Sequence, residues 1–223
     1  MFRKSLTLFL IIIIALLISQ YTFILKESKN ALTSVITQTT QSSNLTITKL
    51  FINNVYPEIS DIVRLRENPN PKVGLSDQEL NNVDTVIRNF MFGTDILKIK
   101  LYSTNGMTVY STEQSQIGDD KSKNKGFLSA LKGKAGSQIT HRGKFSAIDG
   151  EVFNKDLVSS YLPIRDKIGS VIGVAEIYTD RTPSIAKAKS NQNDISAYLL
   201  LFNVLIAISI FFLVWILFSK KEN

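Results

Sequence analysis

Two long blocks without a charged side chain, one near each end, constrain this chain more than any other feature. Ser5 to Leu25 is 21 residues and contains the run Ile11, Ile12, Ile13, Ile14; Ile195 to Ser219 is 25 residues and carries Leu199, Leu200, Leu201, Phe211, Phe212, Trp215 and Phe218. About 20 apolar residues suffice to cross roughly 30 Å of hydrocarbon, so both blocks are expected to span a membrane. The first is longer than the apolar part of a cleaved signal peptide, and no small-x-small cleavage site follows it, which favours an uncleaved anchor. Arg3 and Lys4 before the first span, and Lys220 and Lys221 after the second, place both termini in the cytoplasm by the positive-inside rule. The expected organisation is a cytoplasmic tail (1–4), a first span (5–25), a translocated domain (26–194), a second span (195–219) and a cytoplasmic tail (220–223).

Composition narrows the chemistry. With no cysteine, disulfide scaffolds and thiolate chemistry are excluded, and a single histidine excludes multi-histidine metal sites. No cofactor or metal is expected. The chain has 26 Lys+Arg against 19 Asp+Glu, a net +7. Setting aside the four basic tail residues and Glu222 leaves 22 against 18, so the translocated segment is only mildly basic, and nucleic acid is not an expected partner. Asn44-Leu45-Thr46 forms a glycosylation triplet that chance explains best.

Between Lys26 and Tyr56 neither Gly nor Pro occurs, and Leu32, Val35, Ile36, Leu45, Ile47, Leu50, Phe51 and Val55 fall on a rough helical stripe, which predicts a long helix over 26–56. The Thr/Ser-rich middle (Thr37 to Thr48) allows a break, and Pro57 marks a kink or an end. Asn68, Pro69, Asn70, Pro71 and Gly74 read as a loop, and Ser76 with Glu79 as a capping box opening a helix through Phe90. From Ile96 the period changes to two: Leu97, Ile99 and Leu101 alternate with Lys98, Lys100 and Tyr102, a half-buried strand that Asn105-Gly106 turns into a second over Met107 to Thr112. A polar loop, a short helix around Phe127, Leu128 and Leu131 stopping at Gly133, and strands near 137–145, 157–164 and 170–179 follow. Asp180 or Thr182 caps a last helix with Pro183 in its first turn. The predicted fold is α+β, one five-stranded antiparallel sheet over 96–180 with helices against it.

Several motifs stand in order over Leu101 to Pro183: Tyr110-Ser111-Thr112, Gln116-Ile117-Gly118-Asp119-Asp120-Lys121-Ser122, Thr140-His141-Arg142, Phe145-Ser146-Ala147, Ser159-Ser160-Tyr161-Leu162-Pro163-Ile164-Arg165 and Gly173-Val174-Ala175-Glu176-Ile177-Tyr178-Thr179-Asp180. This stretch resembles the extracytoplasmic PAS-like (Cache/PDC) sensor domains of bacterial membrane histidine kinases and diguanylate cyclases. The resemblance implies a sensor of a small ligand or of envelope conditions, usually dimeric, in the bacterial inner membrane, which passes helix motion to a cytoplasmic or membrane signalling partner. As the sequence stands, only Lys220 to Asn223 follow the second span, and the one histidine, His141, lies in the translocated segment. Neither kinase nor cyclase activity is therefore expected of this chain.

The candidate ligand residues are His141, Arg142, Tyr161, Glu176 and Tyr178. In a regular strand His141 shares a face with Ile139 and Phe145; it is then a satisfied, partly buried histidine, or a donor to an anionic ligand, or a pH sensor. Arg142, with Lys144 and Arg165, is a solvated cation or a bidentate partner for a carboxylate or phosphate. Glu176 shares a face with Ile172, Val174 and Tyr178; it pairs with Arg142 or His141, or binds an amine. Tyr161 and Tyr178 are amphipathic and line a pocket or pack in a core. Asp119 and Asp120 beside Lys121, Lys123 and Lys125 read as a solvated loop. The rival function is an envelope assembly protein that binds a partner and signals nothing, and no catalytic constellation for an external hydrolase is found.

Overall fold

The computed structural model describes residues 2–65 and 77–219. The loop Asn68 to Gly74, Ser76 of the capping pattern and the tail 220–223 lie outside them. Four helices and five strands follow in the order α1 (Phe2–Leu65), α2 (Asp77–Met91), β1 (Ile96–Tyr102), β2 (Thr108–Ser111), α3 (Lys125–Leu131), β3 (Gly136–Ala147), β4 (Gly150–Arg165), β5 (Val171–Asp180) and α4 (Thr182–Ser219). They form two compact units, Met1–Ile36 with Ala186–Asn223, and Thr37–Ile185.

In the first unit α1 and α4 each present a segment long and apolar enough to cross a membrane, and none of either apolar window is buried. Ile11, Ile12, Leu16 and Phe23, like Leu201, Phe202, Phe211 and Trp215, are exposed. A helix apolar on all sides and uncovered by protein suits hydrocarbon, where its internal backbone hydrogen bonds leave no polar group unsatisfied.

The second unit is the sheet with its helices. Its strand order is β2-β1-β5-β4-β3, and every pairing is antiparallel, so β5, last in sequence, lies at the centre. This is the α+β, PAS-like arrangement that the sequence predicts. One face packs on α1 and α2 through Phe51, Val55, Ile59, Ile62, Val63, Ile87, Ile99, Leu101, Ala175 and Ile177. The opposite face packs on α3 through Tyr102, Phe127, Ala130, Tyr161 and Val174. The sheet is thus covered on both sides. Gly173 lets α1 lie flush on β5: a Cβ there would meet the Tyr102 carbonyl at 2.7 Å and Val63 Cβ at 2.8 Å.

Helix α1 differs from expectation at two places. It neither breaks in the Thr/Ser stretch nor ends at Pro57, which sits inside it. The hydroxyls of Thr33, Thr46 and Thr48 donate back to the carbonyls of Lys29, Ser42 and Asn44, so they decorate the helical ladder rather than compete with it. Burial of Val55, Ile59, Ile62 and Val63 around Pro57 outweighs the lost amide. Asn44 is fully buried, which removes it as a glycosylation acceptor in the folded chain. Its Nδ2 donates to Ser160 Oγ at 2.7 Å and to the Val158 and Ile177 carbonyls at 3.3 and 3.4 Å, and its Oδ1 accepts from Thr179.

Two strands also depart from expectation. β1 is buried on both faces rather than one: Lys98 and Lys100, read as its solvent side, are 3% and 4% exposed. β4 begins at Gly150, earlier than the predicted 157, because a continuous register from Ala147↔Gly150 to Gly136↔Tyr161 with β3 supplies backbone partners where apolar alternation is absent. Between β1 and β2 the turn has Gly106 at φ 90, and a Cβ there would lie 2.5 Å from Ser122 N, so glycine is required twice over. At the start of α4 it is Asp180 that takes the Thr182 amide, at 2.9 Å, while the Thr182 hydroxyl accepts from Asp156 N.

Candidate functional site

The sheet face away from α1 gathers polar groups that a core normally excludes. Glu176 on β5 is 1% exposed. The Tyr102 hydroxyl donates to its Oε2, while its Oε1 is buried and has no hydrogen-bond partner. Tyr161, opposite Glu176 on β4, and Tyr178, two residues further along β5, approach the same carboxyl group without bonding to Oε1. Burial first, and then the charge of Glu176, hold the protons of Tyr102, Tyr161 and Tyr178 far above the ordinary tyrosine range. Three phenols that stay protonated and one carboxyl oxygen without a donor make up the centre of the site.

Across the strand pair from Glu176 stands Lys100, and across from Tyr178 stands Lys98. Although directly opposite in register, Lys100 and Glu176 form no ion pair, and Lys100 makes no hydrogen bond among the described residues. Burial, and then Lys121, push its pKa down. Burial and then Lys100 push Lys98 down to about 8. Lys98 Nζ donates to Gln116 Oε1 at 3.3 Å and lies 4.3 Å from the Phe145 ring centroid; that ring in turn packs on Tyr178 at 5.1 Å.

Two covers hold this face. Helix α3 lies on it at one end, its Asn124 side chain capping Phe127 N at 3.0 Å; Phe127 meets Tyr102 edge-on at 5.8 Å, and Gly126 is so close to Tyr161 that a Cβ would sit 2.4 Å from the ring. At the other end the β3–β4 hairpin reaches over β1. A bulge between Ile96 and Lys98 frees the Leu97 carbonyl from the ladder, and Ile148 N donates to it at 2.9 Å. That bond ties the hairpin tip down and brings Phe145 over the lysine.

Of the five candidates, Tyr161, Glu176 and Tyr178 come together here. Arg142 is exposed on β3, and its charge pulls the Tyr178 pKa downward against the dominant burial. His141 is not brought in, and its expected apolar setting is corrected: the side chain is 62% exposed and its Nδ1 lies 2.8 Å from Asp156 Oδ1. Glu176 pairs with neither Arg142 nor His141 but with Tyr102. Phe145 packs on Tyr178, whereas His141, expected on the same face of β3, is exposed beside Asp156. Lys98, Lys100 and Tyr102 were missed because alternating lysines in a strand read as its wet side; their shared parity with Tyr102 was the available signal. Asp119 and Asp120 are exposed, and no metal-holding cluster of His, Cys, Asp or Glu occurs among the described residues.

No protein-family model matches the chain, and no curated protein matches it. Solved structures do. The sensor domain of the V. cholerae histidine kinase DctB is 15% identical over 73% of this chain and 58% of that one, with a TM-score of 0.46. The periplasmic domain of RsbU from Chlamydia trachomatis is 17% identical over 77% and 56%, with a TM-score of 0.48. The E. coli DcuS sensor domain is 21% identical over 62% and 84%, with a TM-score of 0.35. The chain thus spans less than two thirds of the DctB and RsbU chains it resembles.

Proposed function

We propose that this chain is a membrane-anchored extracytoplasmic sensor module, which binds a small ligand on the sheet face around Glu176 and passes the change across the membrane through α1 and α4. The observation that carries the reading is the buried Oε1 of Glu176 with no donor. A buried polar atom left unpaired costs about 1–3 kcal/mol, and such a cost persists where a ligand supplies the missing partner. The two exposed apolar helical segments support an inner-membrane setting with the sheet unit outside and both termini inside. Exposed apolar residues on α1 such as Leu50 support a homodimer paired along that helix. A ligand moves such a device only by its differential affinity for two arrangements, typically about 1–3 kcal/mol.

The test is a thermal-shift screen of the full chain in non-ionic detergent micelles against small carboxylates, amines and amino acids, and across a pH series. A specific ligand at 100 times its dissociation constant adds about 2.7 kcal/mol of stability. A folded sample that responds to no class would discard the ligand-sensor reading in favour of a protein-binding envelope component.

A further inference from the structure

We infer that the chain carries a second binding site, beside α1 rather than on the Glu176 face, which takes an organic anion: a carboxylate or phosphate group on an apolar body. The site is a cavity of about 570 Å³ between α1 and the C-terminal end of β4. That size lies within the roughly 300–1,000 Å³ usual for small-molecule pockets. It opens where the sheet is incomplete. β3 accompanies β4 only as far as Gly136↔Tyr161, so from Leu162 to Arg165 the strand is paired on its β5 side alone. Ile52 on α1, with Leu162 and Pro163 on β4, gives the cavity its apolar lining, and Ile52 and Leu162 are buried.

The polar lining is made of donors. Lys49, Asn53 and Tyr56 come from α1, spaced i, i+4 and i+7 so that they share one helix face, and Arg165 comes from β4. Each offers an N–H or O–H, and no Asp or Glu lines the cavity among the described residues. Lys49, Asn53 and Tyr56 make no side-chain hydrogen bond or ion pair among the described residues. Arg165, one of the cations that the sequence offers as a bidentate partner for a carboxylate or phosphate, is held in place: its Nη1 donates to the Gly169 carbonyl at 2.7 Å and its Nη2 to the Gly133 carbonyl at 3.3 Å. These bonds fix the guanidinium without neutralising it and leave further N–H groups for a ligand. The adjacent carboxylate, Asp166, is committed elsewhere: its Oδ1 accepts from the amides of Ile168 and Ser170, and its Oδ2 lies 3.6 Å from Arg64 Nη2. Two cations without a counter-charge, flanked by neutral donors, select an anion. The apolar lining selects a body behind the charged group, since a bare inorganic anion would leave that surface wet. Lys49 and Arg165 are exposed, which puts the anionic group at the mouth.

The experiment titrates the full chain in non-ionic detergent micelles by isothermal titration calorimetry, with protein-free micelles as the partition background. The probes are benzoate, hexanoate and phenyl phosphate, together with their parts: acetate and inorganic phosphate, which lack the apolar body, and benzyl alcohol and hexanol, which lack the charge. The expected result is saturable one-to-one binding of at least one amphipathic anion and an affinity lower by about tenfold or more for its matching parts. Binding of benzoate or hexanoate alone supports a carboxylate ligand, and of phenyl phosphate alone a phosphate. Lys49→Gln and Arg165→Gln should each weaken the bound anion about tenfold while far-UV circular dichroism stays native. Lys49→Gln decides the matter if loss of the Arg165 bonds unfolds the chain, because Lys49 holds no other group among the described residues. Lys189→Gln, which removes an exposed cation on α4, should leave the affinity unchanged. Parts that bind as tightly as the whole, undiminished binding by Lys49→Gln, an equal loss in Lys189→Gln, or no saturable binding by any amphipathic anion would each overturn the inference. None of them touches the Glu176 reading, whose site shares no residue with this one.

Discussion

Lys98 gives a stability prediction whose sign and size can be worked out. Its ammonium is buried against Phe145 and Gln116, and burial, then Lys100, lower its pKa from 10.5 to about 8. The native state therefore holds this proton less tightly than the unfolded chain does. Below about pH 8 both states are protonated and the native state bears the full cost. Between about 8 and 10.5 the unfolded chain keeps a proton that the native one has released, so stability rises with pH; above 10.5 nothing more is gained. The drop corresponds to about 3 kcal/mol at about 1.36 kcal/mol per tenfold change. The ring contact and the Gln116 hydrogen bond favour the cation and are lost on substitution, so Lys98→Met should stabilise the chain at pH 7 by about 1–2 kcal/mol. The assay is denaturant unfolding of both proteins in the same detergent, followed by circular dichroism at pH 7, 8, 9 and 10.5. The quantity read is the difference between the two proteins, in which contributions from other titrating groups largely cancel. The variant's lead should be largest at pH 7 and fall by about 3 kcal/mol toward pH 10.5, so that the parent overtakes it. A gap independent of pH, or a variant less stable than the parent at pH 7, would refute the burial argument.

Other consequences follow from the packing. Asn44→Ala strips partners from Ser160, Thr179 and two buried carbonyls at once and should destabilise the sheet unit by about 2–4 kcal/mol in the same unfolding assay. Gly126→Ala places a methyl 2.4 Å from the Tyr161 ring; it should cost about 1–3 kcal/mol and perturb the near-ultraviolet tyrosine circular dichroism, because α3 and Tyr161 cannot both keep their places. For Asp180, burial raises the carboxyl pKa but Lys155, 2.7 Å away, and Thr182 outweigh it, so the folded value lies below 3.8. Its stabilisation is complete above 3.8 and is lost as pH falls through the lower folded value, so Asp180→Asn should flatten the acid limb of the parent's unfolding curve.

Much of this architecture was legible in the chain. Length and apolarity suffice to mark the two helical segments able to cross a membrane, because hydrocarbon makes a demand that depends on composition alone. The switch of period from 3.6 to 2 at Ile96, the Asn105-Gly106 turn and the stop at Gly133 are local signals, and the structure has elements at each of them. The site was half legible: Glu176 and Tyr178 fall on one face of β5 by strand parity, which is a property of the backbone, whereas Tyr161 joins them only through the register of β4 on β5. What binds them into a site is not local. Lys100 meets Glu176 only because β5 inserts beside β1, across a separation of some 76 positions in sequence, and the lysines are buried only because α3 and the β3–β4 hairpin cover a face that alternation would leave wet. His141 stands outside for a similar reason: β3 is one of the two edge strands of the sheet, and a residue's place in the strand order is set by pairing, which no stretch of the chain carries by itself.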